Sequence, residues 1–193
     1  MTPGSPLVRL GALGLGLLAA WPLQASEKSD FDPAHTRVGF ELRTRWGQVL
    51  DGVFKRYEGD VTRLPDGRHQ VRLRMYTRDV EILGHPRYSE WARSEKFFDA
   101  DRYPVVVFTS KPYDERLLRE GGKLEGDLSI KGINRARSLD VAPSTCDRPA
   151  RDCDVLGTGA VRRSDYDMDD WMVAVSDRVV FVLRARVRDG AQP

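Results

Sequence analysis

The chain is expected to fold as an all-β protein, either a barrel or a sandwich of antiparallel strands. Three observations lead there. Several stretches alternate apolar and polar residues with period two, turns rich in Gly, Pro and Asp separate them at close spacing, and a single stretch, 86–98, has convincing helical spacing. A length of 193 residues, 40% of them hydrophobic and 31% charged, suits one domain able to bury a core. The 31 basic and 29 acidic residues are scattered, so the net charge of +2 holds no basic block suited to nucleic acid.

Residues 1–25 read as a secretory leader. Arg9 precedes the apolar run 10–20, and Trp21-Pro22 and the small Ala25 follow, with cleavage expected after Ala25. The run is shorter than the ~20 apolar residues of a membrane-spanning helix, and no later run or lipid-accepting cysteine replaces it. The expectation is a periplasmic protein without a transmembrane anchor, whose domain occupies 26–193.

In 36–46, Val38, Phe40, Leu42, Thr44 and Trp46 share one strand face, and Arg37, Glu41, Arg43 and Arg45 the other. Gly47 and Asp51-Gly52 interrupt it before a second strand at 53–64, in which Gly59 is expected to mark a bulge or bend. Pro65-Asp66-Gly67 is a turn, and the strand 68–77 points Val71, Leu73 and Met75 inward. Pro86 suits a first helical turn, with Tyr88, Trp91, Ala92 and Glu95 at helical spacing before Phe97-Phe98. Tyr103-Pro104 excludes further helix, and 105–110 is strand, Phe108 facing in. After Gly121-Gly122, Leu124, Gly126, Leu128 and Ile130 alternate with charged and small polar residues. Strands at 134–141 and 155–163 flank a cysteine-bearing segment, 178–187 alternates Val179, Phe181, Leu183, Ala185 and Val187, and the tail 189–193 should be loose.

Cys146 and Cys153 lie near no second thiol pair or histidines that could complete a zinc site, so a disulfide is expected, worth about 2–3 kcal/mol for so short a loop. Catalytic patterns are thin. His35, His69 and His85 stand singly beside turns or strand ends, and there is no nucleophile elbow. The acidic run 165–170 opens like a calcium loop, but Asp170 occupies the required glycine's place and Ser176 the bidentate glutamate's, which leaves a solvated turn. Gly157 and Gly159 lack the third glycine and helix of a dinucleotide site. Neither metal, cofactor nor catalytic residue is expected. The interior candidates are Val38, Phe40, Leu42, Leu73, Met75, Phe108, Leu128, Ile130, Phe181 and Leu183, which could fill a barrel or line a tunnel through it.

A set of spaced residues adds to this reading: Arg93-Ser94, Phe97-Phe98-Asp99, Tyr103-Pro104, Phe108, Ser110, then Gly126, Leu128, Ile130, Gly132 and Leu139-Asp140-Val141. With Phe31-Asp32, His35-Thr36, Val38 and Phe40 before them, and Arg163-Ser164-Asp165-Tyr166, Met168, Ser176-Asp177 and Val179 after, the pattern resembles the YceI-like family of bacterial periplasmic polyisoprenoid-binding proteins. That resemblance implies a lipocalin-like barrel of about eight antiparallel strands with one or two short helices. It also implies an elongated apolar ligand inside: a polyprenyl chain, a polyprenyl phosphate, an isoprenoid quinone or another long-chain lipid. Trp91, Phe97 and Phe98 would then sit over one mouth and join the ligand-binding residues. The chain departs from the family pattern where Trp91 stands for a histidine, Asn134 for a threonine, Arg137 for a valine and Asp167 for a glycine, and the cysteine loop looks like an addition. The rival expectation is a packed barrel serving as a structural or partner-binding envelope module, and the least favoured is a lipid-modifying enzyme.

Overall fold

The computed structural model describes residues 28–170 and 173–188, with Met1. The expected leader, Met1 apart, and the tail 189–193 lie outside the described residues. Among the described residues, eleven strands form one antiparallel sheet: β1 (Lys28–Asp30), β2 (Arg37–Thr44), β3 (Val49–Phe54), β4 (Tyr57–Arg63), β5 (His69–Tyr76), β6 (Val80–Ile82), β7 (Val105–Ser110), β8 (Gly122–Ile130), β9 (Ile133–Val141), β10 (Val155–Arg162) and β11 (Val175–Ala185). Two short helices, α1 (Pro86–Arg93) and α2 (Arg116–Glu120), accompany it, with 3₁₀ turns at Thr77–Asp79 and Arg163–Tyr166.

The sheet closes on itself because three of its staves are broken in two. β3 runs into β4 and β5 into β6, so the β3–β6 ladder continues the β4–β5 ladder past a 3₁₀ turn, through Tyr76 N–H to the Arg56 carbonyl and Lys55 N–H to the Asp79 carbonyl. β1 extends the stave of β2: it pairs with β4 on one side, and Phe31 bridges Val187 beyond the end of β11 on the other. Eleven strands thus make eight staves in meander order, the strand number at which a barrel is just wide enough for side chains or one small ligand.

Alternation places the core. Val38, Phe40 and Leu42 of β2, Val71, Leu73 and Met75 of β5, Val106 and Phe108 of β7, and Leu124, Leu128 and Ile130 of β8 are all buried. Two inward glycines make room for rings: a Cβ on Gly52 would lie 2.2 Å from the tip of the Phe40 ring opposite, and one on Gly59 2.2 Å from the Phe31 ring. Gly59 is therefore no bulge, since β4 and β5 keep register through it; its role is to seat Phe31.

Other expectations are corrected. The stretch 53–64 is two strands rather than one, bent at Lys55-Arg56, and Asp51-Gly52 is no break before it but lies inside β3, paired with Glu41 and Phe40. Trp46 does not continue the inner face of β2: the strand ends at Thr44, the turn through Gly47 at φ 86° follows, and Trp46 is 81% exposed. β1, β6 and α2 are too short for the sequence pattern to predict.

The cysteine segment closes one end of the barrel. Cys146 and Cys153 are joined by a disulfide, the Ala150 carbonyl accepts from Val187 N–H at 2.7 Å, and Ser144 N–H donates to the Arg119 carbonyl at the end of α2. α1 lies across the opposite end, where β2, β6, β8 and β10 finish and β7 and β11 begin.

Candidate functional site

Helix α1 is anchored to the barrel by polar contacts on its inner side. The Ser89 hydroxyl, buried, accepts from Ile82 N–H at 2.8 Å, and Arg93 donates to the Val80 carbonyl at 3.0 Å. Pro86 occupies its first turn, where a missing N–H costs nothing. His85, Tyr88 and Trp91 stack along it, with centroids 5.0 and 5.2 Å apart, and leave Trp91 42% exposed at the rim.

The chain then turns sharply through Phe97-Phe98-Asp99. Asp99 adopts φ 48°, its N–H bonds the Ser94 carbonyl and its carbonyl accepts from Tyr103 N–H. This turn carries the Phe98 ring inside, 6.0 Å from Phe40 and 5.7 Å from Phe54. Phe40 also meets Phe54 at 5.6 Å and Phe181 at 6.2 Å, so four rings form a plug across the interior at the level of Gly52.

Above and beside that plug is a cavity of about 250 Å³. Its walls come from β2, β3, β6, β8, β10 and β11, its roof from α1 and the Phe97-Phe98 turn, and Trp46 and Trp91 stand at its mouth. Below it, toward the disulfide end, a narrow space of about 40 Å³ remains. Val161 and Phe181 border both and mark the constriction between them. The interior is thus part chamber and part packed core. The chamber lies just under the ~300–1,000 Å³ of typical ligand pockets, and its lining is similarly apolar.

The structure divides the sequence-derived residues between these spaces. Phe40, Leu42, Trp91, Phe97, Phe98, Ile130 and Phe181 line the upper chamber, while Val38, Leu73, Met75, Phe108, Leu128 and Leu183 surround the lower space. Sequence reasoning missed Leu50, Ile82, Val161, Met168, Val175 and Val179 in the upper wall. Val179 was visible as an inward valine; Ile82 belongs to a strand too short to show a period.

The least expected wall residue is Arg163, 2% exposed. Its guanidinium donates to the carbonyls of Ser176 at 3.0 Å and Asp170 at 3.1 Å, and to that of Met168, and it lies 5.4 Å from the Phe97 ring. Burial pulls its pKa down, and the charges of Asp177, Asp169 and Asp170 pull it back up. With its donors spent on backbone carbonyls, Arg163 fastens the segment between β10 and β11 beside the mouth. The acidic run 165–170 is thereby explained as a folded turn, closed by Asp167 at φ 52°, and no group of metal-binding side chains occurs among the described residues. Nor is any helix among them long and apolar enough to cross a membrane.

The histidines stand apart from the chamber's interior. His35 Nδ1 bonds Asp32 at 2.5 Å, a contact that lowers the Asp32 pKa, and His69 faces Tyr113 near the disulfide end. Burial pushes the Tyr113 hydroxyl up to about 12.

Comparison with known proteins matches residues 30–187 to the model of the YceI-like domain. A UPF0312 protein of Photorhabdus laumondii is 27% identical over 135 residues, 67% of each chain. A UPF0312 protein of Staphylococcus aureus is 23% identical over 147 residues, 72% of this chain and 81% of its own. Among solved structures, Burkholderia cenocepacia BcnA superposes with a TM-score of 0.62 at 20% identity, covering 83% of this chain and all of that one. A polyisoprenoid binding domain from Saccharophagus degradans, implicated in plant cell wall breakdown, superposes with a TM-score of 0.60 at 14% identity, covering 85% of this chain and all of that one.

Proposed function

The chain belongs to the YceI-like domain family, and from that premise and the chamber's geometry we propose that it binds an elongated isoprenoid lipid inside its barrel. It would work as an exported, periplasmic carrier or sequestering protein without chemistry of its own. The observation that carries this reading is the chamber of about 250 Å³ beneath α1, walled by aliphatic and aromatic side chains and open between Trp46 and Trp91. An apolar chain entering it removes surface from water at roughly 25 cal/mol per Å², which is the only driving force this lining offers. The description of the Saccharophagus degradans relative as polyisoprenoid binding supports the ligand class. The leader-like sequence of 1–25 and the disulfide at Cys146–Cys153 support an oxidising compartment.

Titration with a short prenyl alcohol tests the reading. Trp46 and Trp91 line the mouth, so saturable binding should blue-shift and quench tryptophan emission, and Trp91→Phe should remove much of that signal. An emission spectrum unmoved by any prenyl alcohol or isoprenoid quinone, with no binding by calorimetry, would refute the proposal.

A further inference from the structure

The barrel wall is not uniform. β9 pairs with β8 along its whole length, and β10 with β11 likewise, but β9 meets β10 only at Val141–Gly157 and Asp140–Thr158. Leu139 still packs against Gly159, and beyond it toward the α1 end the ladder pairing ceases, leaving a seam between Arg137 and Ala160–Val161. The lower space reaches this seam, and a surface basin outside it shares Arg137, Ala160 and Val161 with that space.

Arg137 is on the wrong face for a barrel of this kind. Its register partner in β8 is Gly126, whose neighbours Leu124 and Leu128 point inward and are buried. Period two therefore directs Arg137 to the inner face, and the seam lets its guanidinium leave sideways, where it bonds the Asp165 carboxylate at 2.5 Å. The guanidinium lies 5.5 Å from the ring of Tyr166, which is fully buried. The Tyr166 hydroxyl has no acceptor for its proton; burial raises its pKa, and the charge and guanidinium N–H of Arg137 beside it draw it back down. A buried donor without an acceptor calls for an explanation. On the far side of the basin, Arg162 and Arg178 stand directly opposite each other in the β10–β11 register, a repulsive placement; Asp177 lines the same basin, but its carboxylate accepts from Ser164 N–H and hydroxyl and forms no salt bridge with either guanidinium.

We propose that this seam is a side opening with an anion site, in which Arg137, flanked by Arg162 and Arg178, receives the phosphate of a prenyl phosphate whose chain lies in the interior. The proposal rests on the reading of the interior as a prenyl-chain site and names the ligand's head group. Asp165 holds the phosphate's place on Arg137 in this structure, and the phosphate would displace it. Fork-like pairing with oxyanions is what a guanidinium does best, at the edge of a low-dielectric interior where such bonds are strongest.

The test compares geranylgeraniol with geranylgeranyl monophosphate on the same protein. The phosphate should bind roughly ten-fold or more tightly at low salt, with a preference that shrinks as salt rises. Arg137→Gln should bring the phosphate down to the alcohol's affinity, and Asp165→Asn, which removes the competing carboxylate, should enlarge the preference. If Arg137→Gln fails to fold, the exposed double variant Arg162→Gln/Arg178→Gln should still flatten the salt dependence. Equal affinity of wild type for both ligands overturns the anion site while leaving the carrier reading intact. A phosphate preference untouched by these substitutions places the head group elsewhere and also overturns it. Binding of neither ligand overturns both.

Discussion

Gly52→Ala, behind the Phe40 ring that lines the chamber, is the most informative single substitution. Gly52 has ordinary strand backbone, so an alanine meets no conformational penalty; its whole effect is contact with the Phe40 ring. The added Cβ would fall 2.2, 2.4 and 2.6 Å from Cζ, Cε2 and Cε1 of that ring. Carbon atoms settle near 3.5–4.0 Å, so the ring must retreat by about 1.5 Å. Phe54, Phe98 and Phe181 already surround it, and the open volume is the upper chamber. Overpacking of this kind costs roughly 1–3 kcal/mol, which for a domain of this length lowers Tm by about 2–12 °C. Prenyl-alcohol affinity should fall together with it, because the displaced ring occupies ligand space. Phe40→Leu in the Gly52→Ala background should recover part of both losses, giving a coupling energy in a double-mutant cycle. Measuring Tm and Kd on the four proteins checks this. A destabilised Gly52→Ala protein with undiminished affinity would show that the ligand does not use the space beside Phe40.

Other outcomes follow from the same structure. Phe98→Leu should weaken prenyl binding while changing Tm little, whereas Phe98→Ala should also cost about 3–5 kcal/mol, since Phe98 both packs in the ring plug and lines the chamber. Arg163→Met should destabilise by about 3–5 kcal/mol and expose the segment between β10 and β11 to proteolysis, because the carbonyls of Met168, Asp170 and Ser176 lose their donor. Reduction of Cys146–Cys153 should cost about 2–3 kcal/mol, read as a lower Tm with reductant and absent in a Cys146→Ser/Cys153→Ser variant. Tyr113 titrates near 10 when unfolded and about 12 when folded, so its contribution is constant below pH 10 and stability falls as pH rises from 10 to 12, by roughly 3 kcal/mol; Tyr113→Phe should lack that component of the decline in denaturant melts.

Strand faces were legible in the sequence wherever alternation ran long enough. The inner faces of β2, β5 and β8 follow directly from Phe40, Leu73 and Leu128 and their neighbours at two-residue spacing. The pattern failed at Trp46 because periodicity does not register a turn that begins one residue earlier, and at β1 and β6 because three residues hold no period. Whether Phe40 and Ile130 line a chamber or Leu73 and Met75 fill a core was not legible, since both tasks select the same apolar side chains; the difference lies in how far α1 and the Phe97-Phe98 turn hold the roof away. The burial of Arg163 was not legible, because nothing in the residues after β10 marks a guanidinium that the following segment folds back to cover. The seam did leave a trace. Ile133, Arg135, Arg137, Leu139 and Val141 share one face of β9, and two charges on a face that pairs with Leu124 and Leu128 mark where the wall opens.

The central claim is that the barrel interior takes up an isoprenoid chain, and native mass spectrometry of protein recovered from its own host without detergent tests it most directly. The account predicts a bound population whose excess mass matches an isoprenoid lipid, released on denaturation and identified by extraction, and shifted to the unbound mass when Phe98→Leu narrows the grip on the chain. A single unbound mass in the wild-type protein, unchanged after incubation with prenyl alcohols, prenyl phosphates and isoprenoid quinones, would contradict it.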